Sequence, residues 1–507
     1  MLISKHVGTA SALALILGAQ SAIADVTAAE IWSDWRGYLE GMGYSVDATE
    51  NASGGDLTVS DITMSMVLPD AEGTIAIELD TISFSENGDG TVSIQFPEVM
   101  PIKITGADET GSPATAQIDY SQSGFDMVAS GAPNDVTYTY SAERMAMALA
   151  SLNVEGEDIS EADVRFRVDV ADIAGTHVMK TGDIRTYNQD SRIGTISYEL
   201  DVADPENEGR GAFKGTMNGI TANGTGTLPL VMDSSDVAAM FKDGFAFSGG
   251  FDYQSGNSEF NVQDPVDGDF SGTTSSQGGS LAASMDGSTL SYDVTSRNSA
   301  MNIIGAQIPF GLSATMDETL FKLSMPIAKS DEEQDFGMAI TLGNFAVDET
   351  LWNMIDPSGA LPRDPATINI DLAGKAKVLV DFMDPESAAA METSGAVPGE
   401  LNSLELRNLL VSVAGAALTG KGSFTFDNTQ EFNGMPKPTG SVDLKLVGGN
   451  GLIDKLVGMG MLPEEQAMGA RMMMGLFAVP GEGADTLNSK IEINDQGHVL
   501  ANGQRIQ

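Results

Sequence analysis

The chain has 507 residues and carries 72 Asp and Glu against 26 Lys and Arg, a formal net charge of −46. That balance opposes nucleic-acid binding, which needs Lys and Arg to neutralise phosphates, and it opposes docking on anionic lipid headgroups. With no cysteine there is no disulfide framework, thiolate metal site, iron–sulfur cluster or cysteine nucleophile, and a hydrophobic fraction of 42% is too high for an acidic disordered chain.

The first residues read as a secretory signal peptide over 1–24. Lys5 and His6 give a weak basic start, Val7 to Leu17 an apolar run, and Ala22-Ile23-Ala24 a small-x-small cleavage triplet that makes Asp25 the first mature residue. This predicts export to the periplasm. No later apolar run approaches the roughly 18 residues a spanning helix needs, so no membrane-spanning segment is expected after cleavage.

Residues 25–48 predict an N-terminal helix. Thr27 and Glu30 form a T-x-x-E capping box, Ile31, Trp35, Tyr38 and Met42 fall at helical spacing with Trp32 beside them, and Gly41 and Gly43 stop the run. The stripe reads as a packing face.

From Leu57 the apolar period drops from 3.6 to 2. Leu57 and Val59, then Ile62, Met64 and Met66, then Ile75, Ile77 and Leu79, Ile82 and Phe84, and Val92, Ile94 and Phe96 alternate with polar neighbours. One-face-apolar antiparallel strands have this pattern. The phase slips at Asp61 and near Asp80, which predicts bulges or bends there, because an uncorrected slip would turn every later side chain over. The alternation resumes at Val164 to Val170, Ile196 to Val202, Phe245 and Phe247, Phe321 to Met325, Ile368 to Leu372, Phe424 and Phe426, and Val442 to Leu446. On the order of twenty strands follow.

Residues 49–232 read as a β-rich lobe. Residues 233–299 read as a Gly/Ser/Asp-rich junction or weak strands, with a short helix over Asp233–Phe241 capped by Asp233. Residues 300–507 read as a second β-rich lobe with a helical insertion near 450–477 and a closing hairpin. The fold class expected is mainly β: extended, curved antiparallel sheets, in a sandwich or an incomplete barrel, with an N-terminal helix and a C-terminal helical pair.

Several segments carry a family resemblance. Leu351-Trp352-Asn353-Met354-Ile355-Asp356-Pro357 runs into Leu361-Pro362-Arg363-Asp364-Pro365, Gly434-Met435-Pro436 precedes Gly440-Ser441-Val442-Asp443-Leu444, and Asn450-Gly451-Leu452-Ile453-Asp454 leads to Met461-Leu462-Pro463 and the closing Asn502-Gly503-Gln504. The chain resembles an uncharacterised Gram-negative secreted family, domain of unknown function 2125, best over about residues 300–507. The resemblance implies no activity and passes on no catalytic residue.

Chemistry-bearing patterns are sparse. Asp264, Asp267 and Asp269 surround Gly268 and are the weak calcium candidates, since hard cations take several loop oxygens, but the spacing fits no EF-hand and a solvated turn is the competing reading. Asn87, Asp89 and Gly90 echo an EF-hand loop whose first and twelfth positions are wrong, and read as a hairpin turn. His177 and His498 stand alone in the sequence and read as surface or turn histidines; there is no H-E-x-x-H or G-x-S-x-G motif. Met459, Met461, Met468, Met472, Met473 and Met474 suggest adaptable core packing, with apolar ligand contact and copper(I) as the other readings. No cofactor is expected.

The function expected is therefore a non-enzymatic periplasmic β-rich envelope protein, with a hydrophobic ligand or lipid on an apolar sheet face, or an envelope protein, as partner. The alternatives are an outer-membrane β-barrel, against which count the few aromatics and the final Gln507, and a hydrolase with a dispersed active site.

Overall fold

A computed structural model describes residues 26–67, 74–107, 113–204, 209–232, 236–306, 308–384, 387, 397–432 and 434–507. The expected signal peptide and the cap at Asp233 lie outside the described residues. Strand accounts for 66% of the structure and helix for 12%, so the chain is mainly β with antiparallel pairing. It divides into two compact units, one running to Thr273 with Gly305–Gln307 and the other comprising Thr274–Ile304 and Ile308–Gln507.

Unit 1 begins with helix α1 (Ala28–Gly41). Its expected capping box is formed: the Thr27 side chain accepts from the Glu30 amide, and the Glu30 carboxylate accepts from the Thr27 amide at 3.0 Å. Strands β1 (Ser45–Ser53), β2 (Asp56–Val67), β3 (Thr74–Glu86), β4 (Val92–Gln95), β5 (Val99–Ala107), β6 (Pro113–Ser123), β7 (Asp126–Ala132), β8 (Asp135–Val154), β9 (Glu157–Ile159), β10 (Val164–Thr181), β11 (Arg185–Asp204) and β12 (Gly209–Leu228) follow. Helix α2 (Val237–Lys242) precedes β13 (Ala246–Tyr253), β14 (Ser255–Gln263) and β15 (Phe270–Ser276). The α2 cap is Asp236, whose carboxylate accepts from the Ala239 amide at 2.8 Å, three residues beyond the start expected from sequence.

Pairing runs antiparallel from β1 through β2 to β3. Between β3 and β8 two short routes lie end to end: β5 with β6 serves one half, β4 with β7 the other. From β8 the sheet continues through β10, β11 and β12 to β13 and β14. Near-neighbour connections of this kind need no crossover helix.

The phase slips resolve into a physical device. Asp61 has φ +51, and the β1–β2 register shifts between Asp47 and Thr49 opposite it. Asp80 faces Asp61 across β2–β3, where Ser60 pairs with Thr81 and Ile62 with Leu79, so both slips fall at one place and both strands keep their apolar residues inward. The same device recurs at Asp172 of β10, with φ +54.

Unit 2 contains β16 (Gly279–Met285), β17 (Thr289–Gly305), β18 (Ile308–Pro326), β19 (Gln334–Val347), helix α3 (Glu349–Ile355), β20 (Ala366–Val378), β21 (Gly399–Val413), β22 (Ala416–Phe432), β23 (Met435–Val447), helices α4 (Gly449–Gly458) and α5 (Glu464–Phe477), β24 (Val479–Pro480), β25 (Thr486–Ile493), β26 (Val499–Ala501) and β27 (Gln504–Arg505). Strands β18 to β23, then β25, β26 and β27, form an antiparallel meander. Among the described residues the count of strands reaches 27, above the expected twenty, because short strands and the Gly/Ser-rich β13–β16 lack a strong alternating signal.

The large core belongs to unit 1, where α1 and the strands it covers bury Ile31, Trp32, Ile62, Phe84, Ile94 and Met127 among others. Apart from Ile327, Leu361 and Val378, the buried hydrophobic side chains of unit 2 are alanines among the described residues. Its predicted apolar stripes, such as Phe321, Leu323, Ile370 and Leu444, are strand residues but only half-buried. The expectation of core packing fails for four of the six C-terminal methionines, Met461, Met468, Met472 and Met473, whereas Met459 and Met474 are half-buried. Met468, Met472 and Met473 of α5 stand out in solvent, Met472 at 71% exposure, because α5 buries only Ala467.

Candidate functional site

The sequence of α1 alternates what it hides with what it shows. Ile31, Trp32, Trp35 and Leu39 are buried against the sheet, while Glu30, Ser33 and Glu40 face water. The Trp35 ring meets Phe84 edge-on at 5.3 Å, and its Nε1 donates to the Tyr138 hydroxyl at 2.8 Å. Aromatic bodies with one polar tip hold the helix off the strands, and a partly enclosed cavity of about 110 Å³ remains beneath it. Its apolar lining comes from Trp32, Trp35 and Leu39 of α1, Ile62 and Met64 of β2, Ile77, Leu79 and Ile82 of β3, and Met100, Tyr120, Met145 and Met179 farther across the sheet.

Polar groups converge on this oily space. Arg185, at the start of β11, pairs with Asp34 of α1 at 2.9 Å, with side-chain exposures of only 7% and 14%. The guanidinium also donates to the Asp34 carbonyl at 3.4 Å and lies 5.4 Å over the Tyr38 ring. Among the described residues its Nη1 has no hydrogen-bond partner, and neither does the Trp32 indole nitrogen.

His177 is the third polar group, and it corrects the expectation of a surface or turn histidine. It sits in mid-strand, opposite Tyr138 of β8, at 1% exposure. The earlier phase of β10, Val164 to Val170, would have sent an odd-numbered residue outward. The left-handed turn at Asp172 shifts the phase, so Ile173, His177 and Met179 point to the core. The imidazole stacks on Tyr187 at 6.2 Å and 15°, and neither ring nitrogen has a hydrogen-bond partner among the described residues. Burial pushes its pKa down to about 4, so the ring is neutral at pH 7. Burial raises the Tyr138 phenol and pushes Tyr38 and Tyr120 up to about 12, so these hydroxyls keep their protons. Among the described residues no carboxylate or hydroxyl is bonded to His177, so the hydrogen-bonded histidine of a Ser–His–Asp triad is not formed there.

The tyrosine under His177 is held by a missing side chain. Tyr187 lies across Gly226, its partner on β12, where a Cβ would stand 2.6 Å from the ring. Tyr140 lies over Gly175 of β10 in the same way. Glycine opposite an aromatic lets the ring lie flat on the neighbouring backbone.

Beyond the helix the apolar face continues as a cross-strand row. Phe166 pairs with Leu200, Leu200 with Phe213, and Phe213 with Phe260, whose ring lies 5.9 Å from Phe270. Phe213 is 44% exposed, an unusual position for a large aromatic.

The other sequence candidates are not brought together. Asp264 accepts from the amides of Val266 and Asp267, and Asp269 accepts from the Asp264 amide, so these carboxylates turn back on their own loop. No group of three or more His, Cys, Asp or Glu is placed to hold a metal ion among the described residues. Asp89 closes the β3–β4 turn through Thr91, and the His498 amide is bound by Asn494 in the β25–β26 hairpin. Asp34, Tyr138 and Arg185 were not singled out in the sequence. One signal was available: an acid inside the apolar stripe of α1 needs a cation to accompany it.

The segment from Asp348 to Arg363 is tied together by its own side chains. Asp348 caps α3, and the carboxylate of Asp356 accepts from the Leu361 amide at 2.7 Å and from the Ser358 hydroxyl. Arg363 pairs with Glu349 and donates to Asn353. Residues 256–503 match the family model described as an uncharacterized protein conserved in bacteria, DUF2125. No curated protein and no solved structure matches the chain. No helix is long and apolar enough to cross a membrane among the described residues.

Proposed function

We propose that the chain is a non-enzymatic, exported envelope protein that holds a hydrophobic ligand on the apolar face of its sheet, seated in the cavity beneath α1. One observation supports this most: a concave, overwhelmingly apolar space with a few convergent polar groups, lined by residues from α1, β2, β3, β5, β6, β8, β10 and β11. Small-molecule sites share that description. The exposed row from Leu200 to Phe270 extends the same face and gives a longer chain somewhere to lie. Each methylene removed from water there contributes about 0.8 kcal/mol. The backbone of the sheet is paired within its ladders, so an apolar ligand strands no amide.

Trp32 and Trp35 line the cavity, and so their fluorescence reports its filling. Benzene, which occupies apolar protein cavities of about 150 Å³, should change that fluorescence saturably. Met145→Phe, which narrows the space from a half-buried position, should weaken the response. An unchanged response in Met145→Phe, or none in the native protein, would refute the cavity as the seat. Export is checked separately: the mature protein recovered from the cell envelope should begin at Asp25.

A further inference from the structure

The polar groups of the cavity say more than that its ligand is oily. We infer that the ligand is a neutral aliphatic molecule bearing a hydroxyl, with its head on His177; this rests on the cavity being a ligand seat.

Charge comes first. Arg185 and Asp34 cancel within 2.9 Å of each other, and His177 is sunk at 1% exposure in apolar surroundings. The cavity wall therefore sums to zero. An anionic head would add an uncompensated charge in a poorly solvated space, inside a chain of net charge −46 whose long-range field already repels it. A cationic head would find almost no acceptor, because the Asp34 carboxylate is already engaged by Arg185 and approached by the Thr181 hydroxyl at 3.5 Å.

Hydrogen bonding comes next. Both nitrogens of His177 are buried with no partner among the described residues, and a neutral imidazole offers one donor and one acceptor. A buried polar atom left this way is costly, and a ligand that satisfies it gains that cost back as affinity. A hydroxyl both donates and accepts, so it serves either nitrogen in either tautomer; an ether or ester oxygen only accepts. Trp32 and Arg185, which also line the cavity, carry two further buried donors, Nε1 and Nη1, with no partner among the described residues, which again favours an oxygen over an ammonium group.

Size comes last. The cavity of about 110 Å³ is only partly enclosed, and it is somewhat smaller than the closed cavity of about 150 Å³ that takes benzene whole, so a probe of that size is held with part of it at the open side.

The test uses the mature full chain, tryptophan fluorescence, and three probes of similar size: 1-pentanol, pentanoate and benzene. 1-Pentanol should bind at least about tenfold more tightly than pentanoate. His177→Leu should weaken 1-pentanol by about tenfold and leave benzene nearly unchanged, while His177→Gln, which keeps a donor and an acceptor, should retain most of the 1-pentanol affinity. Retained benzene binding shows that each variant is folded around its cavity. Pentanoate binding as tightly as 1-pentanol would overturn the inference, and so would a His177→Leu variant that weakens both neutral probes equally or neither. Those two results leave the cavity reading standing. Failure of all three probes on the native protein overturns the cavity reading and this inference with it.

Discussion

Replacing Arg185 by Met removes one half of a buried ion pair and leaves the Asp34 carboxylate facing an oily cavity. The pair is close at 2.9 Å and both side chains are largely hidden. Two unit charges about 4 Å apart attract by about 4 kcal/mol at the effective dielectric of a protein. Breaking such a pair from one side costs about 3–5 kcal/mol, because the surviving charge keeps its desolvation without its partner. In Arg185→Met the Thr181 hydroxyl, at 3.5 Å, is a poor substitute. Removing both charges is a different perturbation. Asp34→Leu with Arg185→Met replaces the pair by apolar groups and should fall within about 1 kcal/mol of the native protein. Urea unfolding measures both, and the probe matters because two units need not unfold together. Trp32 and Trp35 belong to unit 1 and Trp352 to unit 2, so a Trp352→Phe background makes fluorescence a report on unit 1. A loss below about 1 kcal/mol for Arg185→Met would show that the pair is not effectively buried. A double variant as unstable as the sum of the two single variants would refute the coupling.

The remaining predictions concern the groups around that pair. The pKa of His177 is about 4 in the folded protein against an ordinary 6.5. An unfolded chain therefore takes up a proton between those values that the native state refuses. The resulting stability is complete above pH 6.5 and lost as pH falls towards 4, by about 3 kcal/mol. His177→Gln should flatten that part of the stability–pH curve, and an unchanged slope would sink the assignment. Gly226→Ala pushes a Cβ into the Tyr187 ring and the Ala246 carbonyl and should cost about 1–3 kcal/mol, whereas Gly211→Ala, on the same strand with open space around it, should cost far less; equal costs would count against the ring-on-glycine packing. Ile62→Ala, at 1% exposure in unit 1, should lose about 2–5 kcal/mol, and Leu409→Ala, half-buried in unit 2, nearer about 1 kcal/mol. Trp352 fluorescence would follow the second of these, and a loss as large as that of Ile62→Ala would mean the unit 2 face is better covered than its exposure indicates.

Local signals were legible because they are local. The Thr27–Glu30 box needs only four residues, and both its hydrogen bonds are present. The slip at Asp61 could be read from the change in phase between Val59 and Ile62, and the left-handed backbone there is its cause. The helical pair near 450–477 announced itself by a change of period. The cavity was not legible, because it assembles Asp34, Tyr138, His177 and Arg185 from positions up to 151 residues apart. His177 was misplaced for a more instructive reason. Its inward direction depends on one backbone torsion at Asp172, and no apolar residue between Ile173 and Val178 reports the new phase clearly, since Gly175 occupies an inward position. The exposed methionines of α5 misled because thioethers are usual core residues; nothing in their spacing says whether a second layer is present to receive them.

The two units meet the same problem, a sheet that is apolar on one face, by different means. Unit 1 lays a helix with two tryptophans across its strands, and a rigid cylinder on a kinked sheet leaves space that side chains do not fill. Unit 2 closes its face from within. Leu409 and Leu444 lean over Gly420, where a Cβ would come within 3.3 Å and 2.6 Å of their methyl groups; Val442 crowds Gly422, and Phe336 covers Gly374. Omitting a side chain at one position of a cross-strand row lets its neighbours lie flat, which covers backbone but leaves their own outer surfaces half-exposed. A flat face gives a ligand area without enclosure, and enclosure is what the helix supplies. The family match begins at residue 256, whereas every cavity-lining residue falls between Trp32 and Arg185. The matched segment and the enclosed seat are therefore different parts of the chain, and the ligand argued from Asp34, His177 and Arg185 is a property of the N-terminal unit, not something the resemblance can carry to other proteins.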